Sequence, residues 1–171
     1  MKDTQFITGR LWIRKICKQN AEFIIELLNS PGWLQYIGDR GVKNDEQAVA
    51  YILNGPIKSY TEHGYGLYLV EEKESGLPMG LCGLLKRDTL DYPDLGFAFL
   101  PEYMGKGYAY EAALSTLEFA KTNLGISILQ ALVLPENMPS ISLLKKLGFI
   151  YLRPFRFPEG EELSLYQLNL A

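Results

Sequence analysis

Apolar and polar residues alternate along Thr8-Gly9-Arg10-Leu11-Trp12-Ile13-Arg14-Lys15, which puts Leu11 and Ile13 on one face of a β-strand. The period then lengthens. Ala21-Glu22-Phe23-Ile24-Ile25-Glu26-Leu27-Leu28 reads as a helix capped by Asn20 and closed by Asn29-Ser30-Pro31-Gly32. A second helix runs from Asn44 or Asp45 through Leu53, and the aromatic segment from Trp33 to Arg40 between the two has little periodicity. Gly66 to Val70, Met79 to Leu85 and Asp94 to Leu100 are strand patterns separated by the polar turns 71–78 and 86–93, an antiparallel meander. A helix from Tyr108 to about Thr122 offers Ala112, Leu117, Phe119 and Ala120 for burial. The apolar run from Ile126 to Val133 has the character of a buried strand. Asn137 opens a short helix that ends at Leu147-Gly148, and 149–157 with 163–168 close the chain as a hairpin. The pattern predicts a single α+β domain over residues 1–171, its central mixed, mostly antiparallel sheet flanked by helices.

The junction Phe97-Ala98-Phe99-Leu100-Pro101-Glu102-Tyr103-Met104-Gly105-Lys106-Gly107-Tyr108-Ala109 is the most informative stretch. A strand pattern stops at Pro101, a loop carries Gly105 and Gly107, and a helix pattern follows at once. Glycine admits a ligand close to the backbone, and a helix start presents unpaired N–H groups and the positive end of its dipole. Together they suit a phosphate, above all a pyrophosphate. Gly107, followed by Tyr108, stands where a Walker loop needs Ser or Thr after Gly-Lys, and Tyr110 stands where a dinucleotide fingerprint needs its third glycine.

Composition narrows the partners. The 171 residues, 47% hydrophobic and 22% charged, suit one soluble domain with a sizeable core. A net charge of −3 argues against nucleic acid and fits an amine substrate better than an anionic one. Cys17 and Cys82 read as two buried thiols of a cytosolic protein. With His63 alone and no Cys-x-x-Cys, no metal site is expected. His63 itself reads as a surface turn residue. No signal core opens the chain and no apolar run reaches membrane-spanning length, so the expected place is the cytoplasm.

Pro101-Glu102-Tyr103-Met104-Gly105-Lys106-Gly107-Tyr108-Ala109-Tyr110-Glu111-Ala112 resembles the acyl-CoA loop of the GCN5-related N-acetyltransferases (GNAT), Arg/Gln-x-x-Gly-x-Gly/Ala, and within them the ribosomal-protein N-terminal acetyltransferases. Glu102 in the Arg/Gln place departs from the general pattern. Asn137, Ser140, Leu147, Gly148 and Phe149 resemble the family's second motif, and the order of elements is similar to the GNAT fold across nearly the whole chain. The resemblance implies acetyl-CoA as co-substrate, held by main-chain groups of Gly105, Lys106, Gly107, Tyr108 and Ala109, with Asn137 near its pantetheine arm. Main-chain N–H groups at Phe99 and Leu100 would meet the acyl carbonyl. Leu144 occupies the place of the family's usual tyrosine acid; the resemblance to the ribosomal-protein subgroup implies Ser140 as the acid for the departing thiolate. Asn137 and Ser140 also suit a plain helix start.

Direct transfer needs a base for the amine. Asp94 is the first candidate, with Gly96 on the same strand face; Glu111 is the alternative and reads better as a support of the loop. Trp33 and Tyr36 are the acceptor-binding candidates, with Tyr65 and Tyr68 behind them. A protein N-terminal α-amine leads as acceptor, followed by a polyamine, amino acid or drug amine; a non-catalytic acyl-CoA-binding regulator is the reading from another class. Monomer and homodimer stay open.

Overall fold

Alternation along the strands sets two sheet faces, and each is covered. The computed structural model describes residues 3–171. Its strands are β1 (Thr4–Ile7), β2 (Leu11–Lys15), β3 (Leu67–Glu72), β4 (Pro78–Leu85), β5 (Asp94–Phe99), β6 (Ile128–Val133), β7 (Ile150–Arg156) and β8 (Glu162–Asn169). Its α-helices are α1 (Ala21–Leu28), α2 (Pro31–Tyr36), α3 (Asp45–Ile52), α4 (Lys58–His63), α5 (Tyr108–Thr122) and α6 (Met138–Lys146). Tyr68 and Val70 of β3 join Leu11 and Ile13 under α5 and α6, where Ala112, Leu117, Ala120, Ile141 and Leu144 are buried. Leu69 and Leu81 point the other way, onto Phe23, Ile24 and Leu27 of α1 and Ala48 and Ile52 of α3.

The sheet runs β1-β2-β3-β4-β5-β6-β8-β7. Its neighbours are antiparallel except β5 and β6, which are parallel and register at Asp94↔Gln130. Gln130 N–H also donates to the Pro93 carbonyl at 2.9 Å. Beyond that point the two strands diverge and the sheet opens as a wedge.

Four features depart from the sequence reading. Strand β1 precedes the first expected one and makes Asp94–Phe99 the fifth; Phe6 anchors it, stacked 5.1 Å from Phe119 and edge-on to Tyr68 at 6.0 Å. The aromatic segment is helical from Pro31 to Tyr36, with Pro31 in the first turn, where its missing N–H costs nothing. Six residues are too few for a 3.6 period to declare itself. Helix α3 continues past Leu53 through a π-helical turn, Leu53–Ile57, into α4; Gly55-Pro56 would ordinarily end a helix, but the wider turn accommodates Pro56. His63 is the last residue of α4 rather than part of a loop.

Two local expectations also change. Cys17 is exposed while Cys82 is buried, because the chain leaves the sheet at Ile16 before the first helix. Asn20 turns its Oδ1 back to the Cys17 N–H at 2.9 Å instead of capping α1.

Candidate active site

The wedge between β5 and β6 leads into a cleft of about 1110 Å³. Leu100 N–H donates to the Met79 carbonyl at 2.9 Å, so that amide is committed to β4. Amides alternate along a strand, so the N–H groups of Phe97 and Phe99 point to the open β6 side. The Phe99 N–H therefore faces the gap where the expected donor would act, and the Leu100 N–H does not.

Gly105 and Gly107 have φ of +74° and +82°, the left-handed region that favours glycine. Gly107 is the N-cap residue of α5, and its carbonyl accepts the Glu111 N–H at 3.0 Å. The preceding N–H groups, of Tyr108, Ala109 and Tyr110, belong to the first turn, which has no intrahelical acceptors to offer them. Gly105, Gly107, Tyr108 and Ala109 line the cleft, whereas Lys106 does not. The Lys106 carbonyl is turned away from the cleft to Arg10 Nη1, 3.1 Å distant. Glu111 also faces away from the chemistry: it accepts from the Thr8 hydroxyl, the Arg10 N–H and Arg10 Nε at 2.6, 2.8 and 2.7 Å. Burial pushes the Glu111 carboxyl up, but those donors overcome it and hold it below the usual range.

Across the wedge, α6 brings Asn137 and Ser140 to the same cleft. Asn137 Oδ1 accepts the Ser140 N–H at 3.3 Å, which caps the helix and sets both side chains side by side. Leu144, in the place of the family tyrosine, is buried and supplies only an apolar wall.

Asp94 sits at the vertex, 2% exposed, so it is not a solvated strand end. Arg87 Nε donates to both of its carboxylate oxygens at 3.2 and 3.1 Å. Burial raises the Asp94 pKa to about 6 against the opposing pull of Arg87. A carboxylate near that value is ionised at neutral pH yet accepts a proton readily, as a general base must.

The cleft walls are also aromatic and mixed in charge, with Trp33, Tyr36, Tyr51, Arg40, Phe157, Glu159 and Glu161 among them. Trp33 is buried and belongs equally to the core under α1, though its indole Nε1 has no hydrogen-bond partner. Tyr36 is half-buried at the wall. Tyr65 and Tyr68 are buried in the core beneath α5 and α6 and do not line the cleft. Arg87, in the turn just before β5, and Phe157, Glu159 and Glu161, in the β7–β8 turn, were not anticipated; turn residues carry no periodic signal. Among the described residues no acidic, histidine and cysteine cluster suited to a metal is found, and no helix is long and apolar enough to cross a membrane.

The family model described as an acetyltransferase (GNAT) domain matches residues 10–150, a span that takes in both the split in the sheet and the glycine-bearing start of α5. The chain belongs to the GNAT family and is an N-acetyltransferase. It is 25% identical over 169 residues to the uncharacterized N-acetyltransferase p20 of Bacillus licheniformis, covering 95% of this chain and 93% of that protein. Among solved structures it resembles an acetyltransferase from Agrobacterium tumefaciens, with a TM-score of 0.81 and 21% identity over 96% of this chain and 93% of the other. It also resembles a ribosomal-protein-serine acetyltransferase from Vibrio cholerae described as putative, with a TM-score of 0.78 and 21% identity over 98% and 99% of the two chains.

Proposed function

We propose that this enzyme transfers acetyl from acetyl-CoA directly to a primary amine, and that the amine is a protein N-terminal α-amine, as in the ribosomal-protein acetyltransferase subgroup. The observation that carries the reading is the wedge itself, with the α5 start on one flank, Ser140 on the other and a near-neutral buried carboxylate at its vertex. Gly105, Gly107, Tyr108 and Ala109 would hold the diphosphate and Asn137 the pantetheine arm. The fit rests on first-turn amides without helical acceptors and on glycines that keep side chains out of their way.

In the transfer, the amine nitrogen attacks the thioester carbonyl and the C–S bond breaks. Phe99 N–H faces the oxygen that becomes negative. Asp94 takes the proton from the nitrogen, directly or through a water. Ser140 gives its hydroxyl proton to the departing sulfur and is reprotonated from solvent, to which Asp94 releases the proton it took. An α-amine, with a pKa of about 8, is partly neutral at pH 7, whereas a lysine side chain near about 10.4 is not. Asp94 therefore suits the first acceptor better than the second. A cleft of about 1110 Å³ with an open mouth also has room for a peptide end. A small polyamine is the second reading, favoured by Glu159 and Glu161 on the wall. The composition supports a cytoplasmic enzyme without a nucleic-acid partner, its net charge being −3.

Thiol release measured over a panel of N-terminal peptides, polyamines and amino acids tests the acceptor; turnover confined to polyamines would sink the peptide reading. Acetyl-CoA is expected to raise the melting temperature, and ATP or NAD to leave it in place. Asn137→Ala weakens acetyl-CoA binding by about fivefold to tenfold and removes the α6 cap, worth about 1 kcal/mol. An unchanged dissociation constant would remove Asn137 from the cofactor site. Ser140→Ala lowers kcat by about tenfold to a hundredfold with the acetyl-CoA dissociation constant held. Full turnover in that variant ends its role as the acid.

A further inference from the structure

The turn between β1 and β2 has no part in the chemistry above, yet its Arg10 reaches the loop that opens α5. Its guanidinium donates to Glu111 Oε2 at 2.7 Å and to the Lys106 carbonyl at 3.1 Å. The other Glu111 oxygen is held by the Thr8 hydroxyl and the Arg10 N–H at 2.6 and 2.8 Å. The same guanidinium lies 4.2 Å from the centre of the Tyr108 ring. The Tyr108 hydroxyl in turn donates to Glu72 Oε1 on β3 at 2.7 Å. An exposed ion pair adds little to stability, so the convergence on Arg10 of the loop carbonyl and two side chains of α5 asks for another reason.

The geometry of the peptide supplies one. In a trans peptide the carbonyl and the following N–H point in opposite directions. Arg10 draws the Lys106 carbonyl to its own side, and neither Arg10 nor Lys106 lines the cleft, whereas Gly105 and Gly107 do. The Gly107 N–H is thereby aimed toward the cleft. Gly107, at φ +82°, tolerates either sign of φ, so without the hold on Lys106 this peptide flips at little cost.

We propose that Arg10, held by Glu111, is a positioning residue that locks the Lys106–Gly107 peptide with its N–H facing the diphosphate of the co-substrate. This rests on the acetyl-CoA reading above. Because the lock orders a donor before the ligand arrives, it acts on co-substrate affinity and leaves the transfer step alone.

Titration calorimetry with CoA and steady-state kinetics on wild type, Arg10→Ala, Arg10→Lys and Glu111→Gln test it. In Arg10→Ala the CoA dissociation constant and the acetyl-CoA KM rise about tenfold, while acceptor KM and kcat at saturating acetyl-CoA change by less than about threefold. Arg10→Lys recovers less than half of the lost affinity, because one ammonium cannot hold a carboxylate and a carbonyl in a fixed fork. Should Arg10→Ala fail to fold, Arg10→Lys and Glu111→Gln carry the same comparison. Variants that melt lower but bind CoA as tightly as wild type overturn the proposal alone. A wild type that binds no CoA overturns the co-substrate reading and the lock with it.

Discussion

An Asp94→Asn enzyme is expected to turn over about a hundredfold more slowly than wild type and, at pH 8, to melt at a higher temperature. The first effect is the loss of a proton acceptor whose pKa of about 6 lets it stay ionised while it works. The second follows from linkage. The folded-state pKa lies above the ordinary aspartate value of 3.8, so this group favours the folded state fully below about pH 4, and that contribution is gone above about pH 6. At pH 8 the buried charge costs up to about 3 kcal/mol, which a neutral amide of the same shape avoids. Arg87 is left unpaired in the variant, but its side chain is 34% exposed and can hydrate, so it returns only part of the gain. A rise of a few degrees at pH 8 that vanishes near pH 4 is the expected melting profile. The acidic limb of the wild-type kcat/KM profile, near pH 6, should flatten in the variant. Unchanged kcat would remove Asp94 as the base; a lower melting point at pH 8 would show that the Arg87 pair outweighs the cost of burial.

Gly83→Ala should cost more than any surface change, about 3 kcal/mol or more, with a melting temperature roughly 10 °C lower or no soluble protein. A Cβ on Gly83 would stand 2.1 Å from the Gly66 carbonyl oxygen and 2.8 Å from the Leu67 Cα, both backbone atoms that no rotamer change can move. Gly83 lies opposite Leu67 on one side and Gly96 on the other, so relief would require parting β3 from β4 inside the sheet. Gly55 offers the control: a Cβ there meets nothing within 4 Å, and Gly55→Ala should lie within about 1 kcal/mol of wild type. Denaturant unfolding of both variants decides the matter. Equal stabilities would mean that the backbone around Gly83 yields more easily than a packed interior allows.

Long periodic elements were legible in the sequence. Helix α5 begins and ends where its pattern predicts, and Leu11 and Ile13 are both fully buried as their alternation requires. Asn44 at the head of α3 accepts the Gln47 N–H, the cap its residue type promises. Of the cleft, the loop at Gly105 and Gly107 was readable, because these glycines mark a backbone conformation rather than a contact. The failures share a cause. Leu100 was assigned a donor whose direction depends on which neighbour the strand pairs with, a tertiary fact. Arg10 and Glu111 are 101 positions apart, and no local pattern joins them. Residues 31–36 and 53–63 fold as helix against weak or contrary local signals, because Trp33 and Ile52 find the core beneath α1.

Among the described residues, Asp94↔Gln130 is the one rung joining β1 through β5 to the leaf formed by β6, β8 and β7. The helix start rides on the first leaf, since α5 packs on β2, β4 and β5, while Asn137 and Ser140 ride on the second through α6 and β6. Asp94 is thus a hinge pin as well as a carboxylate. A ligand that bridges the leaves braces them, so amide hydrogen exchange should slow along both lips of the gap, at Phe97 and Phe99 on one and Leu132 on the other.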